Sequence, residues 1–489
     1  MTAPRRRPLD LLFLGLLAVI LLTMWTRQID DGPIISDAVQ SLQMGVNFER
    51  HGIFSLESAP PLTPTNFREP LVPVVSAFGI KIIDTIAGES PPESYFSGKR
   101  LQYLKYQNLF WLALLSIGTF WIARNLTYSF YVGLFAVMLV NVPFRPHYPP
   151  GLIDDLMTEI PSAGILVVAS GALAIAFSRG SPWLFALSGF MFGALTLTKA
   201  VGLYVYIAMV VVLTCMYLMR RPMMPSKMLA RELALLIVPF VCVVAPWMVR
   251  NHFQLGTFEI TQRAGFALEE RSLEDQMSAQ EYLGSFYVWA PPILKSHLGD
   301  WLGFSPNDLL AGGRLQRLDD NPDSALSQTE LPLEEAGLPE KTVTFYRHGR
   351  AELWRLQEKF RAAGRPFPDV DSDATAKKNA LAVILSHPWH HLALTVPLLW
   401  RSSIETTPIL IGALAFAIWQ RRYDLVLFVL PALGMVAAYA LSSPFVPRYD
   451  VPMHLIAILL LPIFANLMFD TWVDRRRSSR PTQPAQRPH

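Results

Sequence analysis

The chain has 489 residues, of which 52% are hydrophobic and only 17% are charged, with a mean hydropathy of +0.30. A soluble chain of this length carries about 25% charged residues, so lipid must solvate much of this surface. The net charge of +3 says little beside how the charges are distributed, and two cysteines, Cys215 and Cys242, cannot build a disulfide framework or a thiolate metal site; inside apolar runs they read as small buried residues.

Arg5, Arg6 and Arg7 precede an apolar run that ends at Trp25 with no small-x-small cleavage pattern after it, so it reads as a retained first span. Further apolar runs lie near 106–123, 128–144, 158–178, 182–198, 200–219, 232–250, 406–419, 424–442 and 453–470. With 9–26 they predict ten crossings. Residues 70–88 are apolar enough for an eleventh, but Pro70, Pro73, Lys81 and Asp84 favour a re-entrant or interfacial helix. The expected fold is therefore an all-α polytopic membrane protein with about 10–11 transmembrane helices and an α-containing extracytoplasmic insert. It divides into a membrane module at 1–250 that includes an outer loop at 27–69, the insert at 251–388, C-terminal membrane helices at 389–474, and a cytoplasmic tail at 475–489, expected to be disordered from about 475 on. Arginine clusters at 5–7, 220–221, 421–422 and 475–477 all fall inside under this plan, as the positive-inside trend requires. Within the insert, 344–362 has the pattern of an amphipathic helix. A second helix is expected to start after Asp371, Ser372 or Asp373 and to run to about Ser386. Residues 389–402 read as an interfacial helix.

The same plan puts six charged residues on the outer side: Asp37, Arg68, Glu159, Lys199, Arg250 and Arg448. Charge at span ends is costly in lipid and marks function more often than elsewhere. Four cations retained outside, with Asp155 near Glu159 and Tyr449 beside Arg448 in sequence, read as a pocket for an anionic, lipid-linked ligand. An anion transporter would use such a pocket as well as an enzyme would. Each position also has a plainer reading: first-turn acids at helix N-termini for Asp37 and Glu159, snorkelling side chains for Arg68 and Lys199.

Read in order, SDAVQSLQMGVNFERHGIFS, PTNFREPLVPVVSA, MTEIPSAGILVV, LTLTKAVGLYV, APWMVRNHFQLGTF, NALAVILSHPWHHLAL and FVPRYDVPMHLIAILL resemble the GT-C superfamily of polytopic glycosyltransferases. The nearest likeness is to the family 39 branch, with its protein O-mannosyltransferases and the bacterial enzymes that add aminoarabinose to lipid A. The chain departs from that pattern at Ala38 and Ser41, where such families often place a second acid and a tyrosine.

The resemblance implies a multi-pass protein of the bacterial cytoplasmic membrane with its active site on the extracytoplasmic face. It implies transfer of a sugar from a polyprenyl-phosphate donor to a hydroxyl of a protein, lipid or glycan acceptor, with inversion. In that reading Asp37 is the general base. Arg68, Lys199, Arg250 and Arg448 bind the donor phosphate, and Asp155 and Tyr449 bind substrate. Glu159 orients the sugar or orders a divalent cation, with no cofactor otherwise called for. Alternatives in other classes are a flippase of an anionic glycolipid and a ligase or polymerase of lipid-linked glycans.

Overall fold

The computed structural model describes residues 8–142, 151–219 and 226–478. The basic clusters at 5–7 and 220–221 and the end of the tail lie outside them. Helix dominates, and no strand occurs among the described residues. The membrane module runs through α1 (Pro8–Thr26), α2 (Asp37–His51), α3 (Leu71–Ala87), α4 (Gly98–Lys105), α5 (Gln107–Thr127), α6 (Phe130–Asn141), α7 (Glu159–Arg179), α8 (Pro182–Thr196), α9 (Gly202–Met219) and α10 (Ser226–Leu255). The insert holds α11 (Ala264–Glu274), α12 (Ala279–Val288), α13 (Pro292–Leu302), α14 (Ala325–Glu335), α15 (Phe345–Ala362) and α16 (Pro368–Ser386). The chain closes with α17 (Pro388–Ser403), α18 (Thr406–Trp419), α19 (Tyr423–Ser442) and α20 (Val451–Ser478).

Seven of the described helical stretches are long and apolar enough to cross a membrane, or eight if the bent pair α17–α18 forms one crossing. The chain is a multi-pass membrane protein. The difference from the ten predicted crossings is one of length. The runs at 128–144 and 182–198 form the shorter apolar helices α6 and α8, about 18 and 22 Å long, and α8 returns the chain to Lys199 beside Glu159 at the start of α7. The run at 406–419 becomes α18, which meets α17 at 103°. The segment at 70–88 forms α3, which is not among the crossing helices; its Asp84 is paired with Arg50 at 2.6 Å and Arg100 at 2.9 Å.

The core of the bundle is α7, almost every residue of which is buried. Its small residues let neighbours approach: a Cβ on Gly171 would overlap the Ile122 side chain of α5 at 2.2 Å. On α8, a Cβ on Gly189 would meet the backbone oxygen of Leu236 in α10 at 2.0 Å. Such close contacts are the usual source of cohesion between helices in lipid, where apolar burial gives little. By contrast α1 is apolar and mostly exposed, anchoring to the bundle through Leu21 and Trp25. Cys215 and Cys242 are exposed on α9 and α10 rather than buried, because those helices turn one face outward.

In the insert, Thr344 caps α15, its hydroxyl accepting from the Arg347 amide, as the amphipathic pattern predicts. Helix α16 begins at Pro368, earlier than expected, because proline is suited to a first helical turn and has no N–H that needs a cap acceptor. Asp373 lies inside α16 and accepts from the Gly265 amide of α11 at 2.9 Å. The fully buried Arg271 fastens the insert to the bundle. It donates to the carbonyls of His391 (2.9 Å) and Ala440 (3.2 Å) and pairs with Asp275 at 2.5 Å. Helix α20 continues to Ser478, past the point where disorder was expected.

Candidate active site

Five helix ends converge at one end of the bundle. Asp37 is the first residue of α2, and Arg68 lies three residues before α3. Glu159 opens α7, Arg263 precedes α11, and Arg448 precedes α20. Ser36, just before Asp37, has a left-handed backbone with φ 54°, a strained choice for a non-glycine residue that commonly marks a functional turn.

The Asp37 carboxylate is the hub. Its Oδ2 accepts from Arg448 at 2.6 Å, its Oδ1 accepts from Arg68, and Arg263 stands 3.7 Å from Oδ2. Gln40, one turn along α2, holds Arg68 through a bond from Nε to Oε1 of 2.8 Å, so a single helix turn places both the acid and the clamp on its partner. Burial alone would raise the Asp37 carboxyl, but the charges of Arg263, Arg68 and Arg448 outweigh it and hold it well below the usual carboxylate range. Burial and the like charge of Arg263 bring Arg68 down to about 10. Three guanidinium groups face one carboxylate, so the cluster has positive charge to spare.

A second pair stands beside it. Lys199, in the tight turn between α8 and α9, donates to Glu159 Oε1 at 2.9 Å, with both side chains buried. The Lys199 ammonium lies 5.1 Å from the centre of the Tyr449 ring, a cation–π contact.

Two cavities meet at this cluster. The larger, of about 620 Å³, is lined by Asp37, Arg68, Glu159, Lys199, Arg263 and Tyr449 at its polar end and by Val201, Leu203, Ile260, Leu268 and Leu441 elsewhere. The smaller, of about 180 Å³, lies toward the insert and is lined by charged and aromatic groups. Asp37, Arg263, Phe266, Glu270 and Tyr449 border both.

Of the eight residues expected at the site, Asp37, Glu159, Arg68, Lys199, Arg448 and Tyr449 gather here. Arg250 and Asp155 border neither cavity. Arg250 lies over the rings of Trp247 (4.9 Å) and Phe54 (5.4 Å) and donates to the Thr65 carbonyl at 2.9 Å, so it secures the outer loop. Asp155 accepts from the Leu156 amide at 2.8 Å, and burial pushes it up to about 6. Sequence reasoning missed Arg263 and Glu270, which lie among many similar charges in the insert. As for a divalent cation, no three His, Cys, Asp or Glu side chains stand together among the described residues. Glu159 Oε1 holds the Lys199 ammonium while its buried Oε2 has no hydrogen-bond partner among the described residues, and Asp37 is held by guanidinium groups.

No known family model matches the sequence, and neither does any curated protein. Among solved structures, the chain is similar to the archaeal oligosaccharyltransferase AglB from Archaeoglobus fulgidus in complex with an inhibitory peptide and a dolichol-phosphate. The identity is 10% and the TM-score 0.38, covering 99% of this chain and 53% of that one. The chain thus spans about half the length of that enzyme, which has the GT-C fold. A likeness this distant bears on neither activity nor substrate.

Proposed function

We propose that the chain is a membrane glycosyltransferase that moves a sugar from a polyprenyl-phosphate donor to an acceptor hydroxyl. One observation carries this reading. Asp37, ringed by three arginines, stands where a largely apolar cavity meets a polar one. The apolar cavity suits a lipid tail and the arginines suit the phosphate at its head. The polar chamber admits the acceptor from the opposite side of the acid.

In this mechanism the acceptor oxygen attacks the anomeric carbon. The bond from that carbon to the phosphate oxygen breaks, and its electron pair leaves with the lipid phosphate. The hydroxyl proton passes to Asp37. Entry from the side opposite the leaving group inverts the anomeric centre. The departing phosphate gains negative charge, so Arg68, Arg263, Arg448 and Lys199 bind it more strongly as the bond breaks, which is how such groups accelerate a reaction. Arginines drawn to the phosphate loosen their hold on Asp37. Its basicity then rises toward that of an ordinary carboxylate once donor is bound. Glu159, fixed by Lys199, is placed to orient the sugar.

Sidedness follows from the basic residues. Arg231 near the start of α10 and Arg421 and Arg422 between α18 and α19 lie at the helix ends away from the site. With basic ends cytoplasmic, the site opens on the extracytoplasmic face of a bacterial cytoplasmic membrane. A transporter would carry its charged groups in broken helices at mid-membrane, whereas these sit at helix ends.

A photoactivatable undecaprenyl phosphate analogue tests the reading. Labelling of the 258–268 stretch that borders the apolar cavity, suppressed by unlabelled undecaprenyl phosphate, is expected. Labelling confined to lipid-exposed α1 would remove the donor site.

A further inference from the structure

The polar chamber holds three buried polar atoms with no hydrogen-bond partner among the described residues: Glu270 Oε1, Glu274 Oε2 and Trp289 Nε1. All three side chains line it. Glu270 and Glu274 stand one turn apart on α11, and each is more than nine-tenths buried, at 8% and 5% exposure. An unpaired polar atom at such depth is costly, so two acceptors and one donor here call for a ligand that supplies the complement.

The chamber's other charges are already spent. Arg401 pairs with Asp320, stands 3.7 Å from Glu274 Oε1 and donates to the Pro444 carbonyl at 3.1 Å. Arg350 pairs with Glu334 at 2.5 Å, and Arg317 with Glu281 at 3.4 Å. Arg263 and Arg448 are held by Asp37, so each of the five arginines that line the space has an acidic partner and none is left to seat an anion. A volume of about 180 Å³ is of the order of a single sugar ring. A sugar hydroxyl both donates and accepts, so neighbouring hydroxyls on one ring satisfy both carboxyls and the indole N–H together. An extended peptide would bring a run of amide donors and acceptors with no matching partners.

We infer that this chamber is the acceptor site and takes a neutral sugar ring at the end of a glycan, held by Glu270, Glu274 and Trp289 with one hydroxyl toward Asp37. The inference rests on the transferase reading and names its acceptor class. The three are positioning residues. Burial pushes Glu270 up to about 8 and Glu274 up to about 7, so near neutrality each carboxyl can donate as well as accept.

The test uses the purified full chain and saturation-transfer NMR with a panel of neutral methyl hexosides and pentosides, alongside a serine- and threonine-containing peptide. Undecaprenyl phosphate binding is measured separately on each variant. At least one glycoside is expected to bind. Glu274→Gln and Trp289→Phe should each weaken it at least tenfold with undecaprenyl phosphate binding unchanged, which also shows that the variants fold. In transfer assays they should raise the acceptor KM and leave kcat within a few-fold. The inference is overturned if no glycoside binds, if binding ignores both substitutions, if the peptide responds to them instead, or if kcat collapses while KM holds. Failure of wild type to bind undecaprenyl phosphate would instead sink the transferase reading beneath it.

Discussion

Asp37 and Arg448 are 411 residues apart in the chain, yet their side chains meet at 2.6 Å. That contact joins the start of the first outer helix to the start of the last membrane helix. With Arg68 and Arg263 it forms a site that exists only when the loop at 27–69, the insert and the C-terminal helices are packed together.

Removing the Asp37 charge should separate binding from chemistry. Asp37→Asn takes away the proton acceptor but leaves three arginines without their counter-charge. Transfer is expected to fall by about 10²–10⁴-fold, while affinity for undecaprenyl phosphate rises. Parallel loss of both, in a variant with unchanged thermal stability, would show that Asp37 only organises the site.

Arg448→Lys keeps the charge but loses the forked geometry that suits phosphate and carboxylate. A drop in kcat of at least tenfold is expected. Arg263→Ala should have a similar or larger effect on kcat, since it borders both cavities. Wild-type kinetics in both variants would remove the arginines from the reaction.

Arg250→Ala should behave differently. Its guanidinium holds the Thr65 carbonyl and stacks on Trp247 and Phe54, so about 1–3 kcal/mol of stability is at stake. The expected result is a lower Tm with little change in the activity of the folded fraction. A large loss of donor binding at unchanged Tm would return Arg250 to the phosphate site.

Arg271→Leu tests the anchor between insert and bundle. It leaves the buried Asp275 carboxylate with His391, at 2.6 Å, in place of two partners and takes a donor from the Ala440 carbonyl, at a cost of about 3–5 kcal/mol. Poor recovery of folded protein is expected, and restoration by Arg271→Leu combined with Asp275→Asn would tie the loss to the unbalanced Asp275 charge.

The buried acids of α11 set a pH dependence. Glu270 and Glu274 are pushed from 4.5 up to about 8 and about 7. Between 4.5 and those values the folded chain holds more protons than the unfolded chain, so these groups favour folding most at low pH. That contribution is lost as pH rises through about 7 to 8. The Tm in detergent should therefore be higher at pH 6 than at pH 9, and Glu270→Gln should flatten the difference. A slope unaffected by the substitution would place its origin elsewhere.

Much of this was legible in the sequence, and the misses have physical causes. Apolar runs mark the membrane helices, but composition does not say where a helix bends, so the run at 406–419 did not show its sharp angle to α17. The motif order around Asp37, Arg68, Glu159, Lys199 and Arg448 pointed to residues that do gather at one place. Arg250 shares their sidedness, yet two aromatic rings and a carbonyl claim its side chain. Arg263 and Glu270 carry no local signal: only the packing of α11 against the bundle distinguishes them from the other charges of the insert.

The central claim is most directly tested by transfer of radiolabelled sugar from synthetic polyprenyl-phosphate donors, with purified wild type and Asp37→Asn side by side. The account predicts that wild type consumes at least one donor and forms a glycosylated product, while Asp37→Asn binds that donor and does not turn it over. Equal turnover by both proteins would contradict the role of Asp37. Binding of polyprenyl phosphate by both, with no donor consumed by either, would contradict the enzyme.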